Sequence, residues 1–252
     1  MTVTKINVEL KKIARLITLI HEYSEKTDEL LAEPWVPQNH KAYTVAVTAS
    51  TAAGKSTLID KIITVLRKDN LTVAVLAIDP SEEESGGAIF GDTMRMRRHY
   101  ADDGVFMRSF GSRGAPAALT YALREIIRGA ARFVDVVLVE TAGAGQTDIR
   151  AKSYVDTLLM LPEPRGDIVT LMKAGVHNWA HVMAVNIRTD QDKKFLNLME
   201  SFARSIYHKN SWQPLVFEVN AETGLGVEKL VRNGLYKHKE FLEQNEKDQK
   251  SP

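Results

Sequence analysis

Residues 49–57 read Ala49-Ser50-Thr51-Ala52-Ala53-Gly54-Lys55-Ser56-Thr57, and this segment is the clearest indication of the fold. A β-branched run precedes it and an apolar run with helical spacing follows it, so a strand, a loop and a helix are predicted in that order. In such a loop, backbone N–H groups surround a phosphate, the lysine reaches the β and γ oxygens, and the serine offers its hydroxyl to Mg²⁺. We therefore predict nucleotide contacts from Ser50, Thr51, Ala52, Ala53, Gly54, Lys55, Ser56 and Thr57.

Short apolar runs alternate with helical stretches along the rest of the chain. They are Thr44 to Thr48, Leu71 to Ile78, Val134 to Val139, Val155 to Leu161, Val182 to Val185 and Leu215 to Val219. Several are apolar at nearly every position, which is typical of parallel strands covered on both faces. We predict an α/β fold: a mostly parallel P-loop NTPase sheet between helix layers, with an N-terminal helical segment.

Changes in sequence pattern divide the chain into three parts. Residues 1–40 are predicted to form the helical segment, residues 41–236 the P-loop NTPase domain, and residues 237–252 a charged C-terminal tail. The tail has no apolar stripe, so we expect a fraying helix end or a disordered terminus there.

Composition excludes several classes of function. The chain has 252 residues, with 33 Lys and Arg against 32 Asp and Glu and a net charge of +1. No global field is therefore available to attract nucleic acid or a membrane. The absence of cysteine excludes disulfides, thiolate metal sites and a cysteine nucleophile. No apolar run approaches the ~18 residues of a membrane span, and we expect a cytoplasmic protein.

Acidic residues follow two of the predicted strands. Asp79 comes directly after one strand, Glu140 after another, and Asp92 lies in Gly91-Asp92-Thr93. Ligands bind beyond the carboxyl ends of parallel strands, and Mg²⁺ prefers oxygen ligands, although a single acid at such a place is more often a helix cap. Together with the loop serine they predict a metal site formed by Ser56, Asp79, Asp92 and Glu140.

The segment Glu140-Thr141-Ala142-Gly143-Ala144-Gly145-Gln146 is a candidate switch. Its glycines permit a backbone N–H to approach a γ-phosphate and permit the loop to move when that phosphate leaves. Gln146 is a candidate for orienting the attacking water, and Lys55 for neutralising charge on the γ-phosphate. These two residues are the predicted catalytic groups.

These motifs, together with Val73 to Ser81, Gly86 to Met96 and Ser112-Arg113-Gly114, resemble the ArgK/MeaB family of P-loop GTPases. That family acts as chaperones of adenosylcobalamin-dependent mutases, with methylmalonyl-CoA mutase as the best-known client. The resemblance extends from Ala14 to about Leu230 and implies GTP hydrolysis with Mg²⁺ and a mutase as protein partner. ATP is a second candidate substrate because of the altered base motif described next. We expect no directly bound cobalamin, and a homodimer is left open.

One segment departs from the family pattern. Members read guanine with Asn-Lys-x-Asp, whereas this chain has Asn186-Ile187-Arg188-Thr189-Asp190. Asn186 is retained and stays a predicted nucleotide contact, but threonine cannot accept two parallel N–H bonds as a carboxylate does. The base is therefore expected to be held differently or with relaxed selectivity.

Four other functions remain open at this point. The altered base motif is compatible with an ATP-using reactivase of a B12-dependent aminomutase, or with a nucleotide-binding module that does not hydrolyse its ligand. His177 and His181 share one helix face and suggest a nickel-type metallochaperone NTPase, although packing or surface histidines explain the pair more simply. A small-molecule kinase shares the phosphate loop, but no acceptor pocket is identified in the sequence.

Overall fold

The structure is a computed structural model and describes residues 3–49, 53–79, 96, 98–111, 116–141, 152–163, 180–206 and 212–249. Its helices are α1 (Val3–Glu22), α2 (Thr27–Leu31), α3 (Lys55–Lys68), α4 (Pro116–Ala130), α5 (Asp192–Ser205), α6 (Val227–Leu230) and α7 (Tyr236–Asp248). Its strands are β1 (Tyr43–Ala49), β2 (Val73–Asp79), β3 (Val105–Gly111), β4 (Val136–Glu140), β5 (Thr157–Leu161), β6 (Val182–Asn186) and β7 (Leu215–Val219). Short 3-10 turns occupy Ser24–Lys26 and Lys152–Tyr154, and a π-helical turn, Val231–Leu235, joins α6 to α7.

The chain forms two compact units, residues 1–44 with 66–142, and residues 45–65 with 143–252. In the first unit the strand order is β3-β2-β4, with Val73 level with Val105 on one side and Val136 on the other. In the second unit the order is β1-β5-β6-β7. All of these pairs are parallel. The division predicted at residues 40 and 236 stays a prediction.

Every residue of β1, β4, β5 and β6 is buried. This pattern requires cover on both faces and explains why these runs lack alternation of apolar and polar residues. Helix α3, which follows the phosphate loop, is buried on one face only. Its buried residues include Leu58, Ile59, Ile62 and Ile63, and its last residue, Lys68, is exposed. The predicted α/β class is confirmed.

Strand β3 was not predicted from the sequence. Its segment, Val-Phe-Met-Arg-Ser-Phe-Gly, contains polar residues and pairs only with β2 among the described strands. Arg108 lies in this strand, where its guanidinium donates a 2.6 Å hydrogen bond to Thr18 Oγ1 on α1 and stacks over the ring of Phe110. An edge strand covered by polar contacts does not need a continuous apolar run, so the apolar pattern fails to detect it.

A salt bridge closes the turn before β3 in the first unit. Arg67 donates from Nε and Nη2 to Asp102 at 2.9–3.1 Å, and Asp102 also accepts a hydrogen bond from the Gly104 N–H. The Arg67 hydrogen bond holds the pKa of the Asp102 carboxyl below its usual value. Both side chains are less than a third exposed, so this pair stabilises the turn more than an open surface pair does.

The charged C-terminal segment is helical as far as Asp248, and its beginning is anchored in the second unit. His238 is fully buried, its Nδ1 lies 2.7 Å from Thr157 Oγ1, and its ring stacks on His181 at 4.4 Å. Trp212 meets the same ring edge-on at 4.5 Å. A buried histidine in a charged run gives no apolar signal, which is why the sequence indicates only a tail.

Within the described ranges, no helix is both long enough and apolar enough to cross a bilayer.

Candidate nucleotide-binding site

The second half of the phosphate loop, residues 53–57, is described. Gly54 has φ +98°, a conformation that glycine adopts without strain. Helix α3 begins at the next residue, and the Leu58 N–H donates to the Gly54 carbonyl at 2.9 Å. Lys55 and Thr57 are half-buried and Ser56 is 3% exposed. Ser50, Thr51 and Ala52 lie outside the described residues.

The phosphate-loop pattern usually begins with glycine, and this chain has Ala49 at that position, where it causes no strain. Ala49 is the last residue of β1 and does not have a positive φ. In the described part of the chain, the non-glycine residue with a positive φ is Asn70. The alanine therefore has ordinary strand geometry.

Asn186, the predicted nucleotide contact at the end of β6, braces the phosphate loop. Its Nδ2 donates to the Ala53 carbonyl at 3.2 Å, and its Oδ1 accepts from the Ala221 N–H at 3.0 Å. Arg188 donates from Nη2 to the same Ala53 carbonyl at 3.1 Å. Asn186 is 4% exposed, and Ala53 and Ala221 are 1% exposed. One buried amide thus joins the phosphate loop to the loops after β6 and β7.

Arg188 and Ala221 also take part in this hydrogen-bond network, and only Arg188 was not singled out from the sequence. Arg188 occupies the variable position of the base motif, and Ala221 contributes only its backbone N–H. The segment Asn220-Ala221 partly resembles a later Ser-Ala loop of the family, but no residue-type pattern indicates that the Ala221 N–H is the group that makes the contact.

The shifted aspartate of the base motif does not replace the missing one. Asp190 is 95% exposed in its side chain and accepts a 2.9 Å hydrogen bond from Lys193, which holds its pKa below the usual value. Asp192 is buried, and its Oδ2 accepts hydrogen bonds from the N–H groups of Arg188 and Thr189 at 2.9 and 2.8 Å. Both carboxylates thus make contacts that shape the turn into α5.

The loop after β7 is held by Asn220. Its Nδ2 donates to the Ile187 carbonyl, and its Oδ1 accepts from the N–H groups of Glu222 and Thr223. Gly224 and Gly226 follow with φ of +82° and +78°. A Cβ on Gly226 would overlap the carbonyl oxygen of Glu218, so only glycine fits there.

Two residues of the predicted metal site end adjacent strands of the first unit. Glu140 ends β4 and pairs in register with Ala77, two residues before Asp79 at the end of β2. Glu140 is 2% exposed, and its Oε2 has no hydrogen bond within the described residues, although the residue has other interactions. The Asp79 side chain, Asp92 and Gln146 lie outside the described residues.

The donor chemistry fits magnesium better than nickel. Ser56 supplies a hydroxyl oxygen in the first turn of α3, and oxygen donors suit Mg²⁺. His181 is buried and its Nδ1 accepts a 2.9 Å hydrogen bond from the Leu158 N–H, so that nitrogen holds the sheet together. His177 is outside the described residues. Within the described ranges, no three His, Asp or Glu side chains are grouped to hold a metal.

A parallel α/β fold, a loop after its first strand and a helix that begins at the loop lysine define a P-loop nucleotide-binding protein. The sequence model described as "Methylmalonyl Co-A mutase-associated GTPase MeaB" matches residues 13–251. The chain belongs to this family of nucleotide-hydrolysing P-loop GTPases.

Individual relatives agree with this assignment. A Pyrococcus abyssi protein, named provisionally as a GTPase, is 37% identical over 238 residues, which are 92% of this chain and 73% of the relative. A Cupriavidus metallidurans protein named "Fused isobutyryl-CoA mutase" is 36% identical over 183 residues, which are 70% of this chain and 16% of that much longer protein.

A solved structure, described as a LAO/AO transport system kinase, has the same fold. It superposes with a TM-score of 0.69 and 21% identity, over 97% of this chain and 77% of that one.

Proposed function

We propose that this GTPase is a chaperone or reactivase of an adenosylcobalamin-dependent mutase. The observation that carries the proposal is the family match over residues 13–251, because the family's description names association with a mutase. The fused relative supports it, since a similar domain and a mutase share one polypeptide there. In such an arrangement the nucleotide state of one domain is available to the mutase without diffusion.

Within the second unit, we propose that Lys55 neutralises the charge that develops on the γ-phosphate and that Ser56 is a Mg²⁺ ligand. Both residues lie in the first turn of α3, where backbone N–H groups and the helix dipole favour an anion. Bound Mg²⁺ would supply charge neutralisation between the β- and γ-phosphates. The roles of Asp79, Asp92, Glu140 and Gln146 stay predictions from the sequence.

We propose that base selectivity is relaxed in this chain. A carboxylate that reads guanine must accept bonds from two N–H groups of the base. Thr189 stands where the family has that carboxylate, and its neighbour Asp190 is exposed and paired with Lys193. The remaining candidate, Asp192, accepts two backbone hydrogen bonds. GTP is then bound mainly through its phosphates, and ATP competes more effectively than it does at a site that has the aspartate.

Calorimetric titration with GTP, GDP, ATP and ADP in Mg²⁺ buffer tests the nucleotide preference. We expect GDP and ADP to differ by less than about tenfold in Kd, a difference below ~1.4 kcal/mol. A GDP preference above ~1000-fold would show that the base is read by a group other than those assigned. Phosphate release at saturating GTP must exceed that of Lys55→Ala, and a phosphorylated small product would instead indicate a kinase.

The chaperone role is tested with a purified adenosylcobalamin-dependent mutase that inactivates during turnover. We expect added wild-type protein with GTP to lengthen the active lifetime of the mutase, whereas Lys55→Ala with GTP does not. The role would be rejected if the active lifetime of the mutase did not change while the wild-type GTPase hydrolysed GTP in the same reaction mixture.

A further inference from the structure

The outer edge of β7 forms the floor of a groove in the second unit. The groove encloses about 420 Å³. Leu196 and Glu200 of α5 line one wall, and Lys229 of α6 and Lys237 of α7 line the other. Among the described strands, β7 pairs only with β6, so its other side faces the groove.

The backbone of β7 directs alternate polar groups into this groove. The Leu215 N–H donates to the His181 carbonyl at 3.2 Å, and the Ile187 N–H donates to the Val219 carbonyl at 2.7 Å. In a parallel ladder the residues between such positions direct their N–H and C=O groups away from the partner strand. The Val216 N–H and C=O and the Glu218 N–H therefore face the groove, whereas the Glu218 carbonyl lies against Gly226. Free donors and acceptors along a strand edge are the arrangement that accepts an additional strand.

The two walls of the groove carry opposite charge. Val216 packs against Phe195 and Met199 of α5, so Glu218, two residues along the strand, faces the same side. Glu200 adds a second carboxylate on that side. Its ion pair with the exposed Arg204 is 3.8 Å long, so it offsets little of the negative charge.

Phe217 faces the other side of β7. A Cβ on Gly234 in the π-helical turn would lie 2.8 Å from Phe217 Cε2, which places this ring against the α6–α7 helical segment. Lys229 and Lys237 belong to that segment and are exposed. The α5 side of the groove therefore carries two carboxylates, with Lys193 of α5 close enough to interact with Glu218, and the α6–α7 side carries two lysines.

We propose that the β7 edge binds an extended segment of a partner protein as an added strand in which alternate side chains carry opposite charge. Side chains of a strand point alternately to its two faces. Acidic residues at one set of positions then face Lys229 and Lys237, and basic residues at the intervening positions face Glu200 and Glu218. A second copy of β7 does not fit, since Leu215–Val219 contains an acidic residue and no basic one. This inference does not depend on the proposed function.

Backbone amide exchange of the full chain tests the docking site. The probe is a short acetylated peptide of alternating Glu and Lys, and the control peptide has the same composition in two blocks. We expect a Kd of ~1 mM for the alternating peptide. At a few times this concentration it slows exchange of the Val216 and Glu218 amides at least about threefold. Reversing both basic residues, Lys229→Glu with Lys237→Glu, abolishes this protection. Absent protection in the wild type, or equal protection by both peptides, would overturn the proposal.

Three variants separate strand addition from general electrostatic attraction. Glu218→Pro removes an N–H that faces the groove while the ladder to β6 is retained, so it abolishes protection at Val216. Glu218→Gln keeps that N–H and retains most of the protection. The exposed pair Lys11→Glu with Lys68→Glu matches the charge change outside the groove and leaves protection intact. If this last pair removes protection as completely as the groove reversal, charge alone accounts for the effect and the docking site is rejected.

Discussion

The bracing amide of Asn186 allows a quantitative prediction for Asn186→Ala. The substitution removes the donor to the Ala53 carbonyl and the acceptor of the Ala221 N–H. The Ala53 carbonyl keeps its hydrogen bond from Arg188, so losing the hydrogen bond from Asn186 costs about 1 kcal/mol. The Ala221 N–H is buried and left without its acceptor, which costs a further ~1–3 kcal/mol. If about 2 kcal/mol of this total falls on the nucleotide-bound loop, Kd rises about 30-fold.

The matched control is Arg188→Ala, which removes the other donor to the same carbonyl. Arg188 is exposed and the carbonyl keeps the bond from Asn186, so we expect a rise in Kd of less than about fivefold. Both variants are titrated by calorimetry with GDP and with inorganic pyrophosphate, which has no base. A residue that braces the phosphate loop weakens both ligands by the same factor.

Two results would refute this reasoning. If Asn186→Ala weakens GDP but not pyrophosphate, the amide binds the base rather than the loop. If Asn186→Ala binds GDP within about twofold of the wild type, while thermal unfolding confirms that it is folded, the brace carries no binding energy.

Three further variants test other features of the structure. Lys55→Ala should lower GTP affinity at least about 100-fold, since a charge-assisted phosphate contact is lost, and calorimetry on the folded variant measures it; normal turnover by that variant would exclude the site. Gly226→Ala should destabilise the protein by more than ~3 kcal/mol in urea unfolding, because the added Cβ would overlap the Glu218 carbonyl. In the control Gly224→Ala, the added Cβ lies 3.5 Å from the flexible Lys61 side chain, so the cost should be about 1 kcal/mol. Equal costs would contradict the packing argument. Asp102→Asn should lower stability by about 1 kcal/mol at pH 7. Arg67 lowers the pKa of the Asp102 carboxyl in the folded state, so the stabilisation is complete above the unfolded pKa of about 4 and is lost as pH falls through the lower folded value. The difference in unfolding free energy between wild type and variant should therefore shrink by pH 3. A difference that stays constant with pH would reject the ion pair as its source.

The sequence predicts the elements whose role depends on residue type. The run into Gly54-Lys55-Ser56 predicts β1, the loop and α3, because a tight turn, a phosphate contact and a helix start each require particular side chains. Six strands were predicted within a few residues of their observed bounds. Strand β3 was not, because polar residues such as Arg108, which donates a hydrogen bond to Thr18 on α1, interrupt its apolar run.

The site is predicted less completely than the fold because part of it consists of backbone groups. Asn186 was identified as a nucleotide contact from its place in a motif, yet its hydrogen bonds go to Ala53 and Ala221. Three-dimensional proximity of two loops far apart in the sequence decides that role. The buried His238 was missed for a similar reason, since its partners Thr157 and His181 lie more than 50 residues away in the chain.

The strand pairings determine the order in which the two units can form during synthesis. In the first unit, β2, β3 and β4 all lie between Val73 and Glu140, so they can pair soon after this stretch leaves the ribosome. In the second unit, Val45 of β1 is level with Thr157 of β5, so its partner is made ~110 residues later. At about 5–20 residues per second, the phosphate loop waits roughly 5–20 s for that partner. A nascent chain stalled before β5 therefore contains the whole phosphate loop, but β5 and the bracing residue Asn186 at the end of β6 have yet to be made.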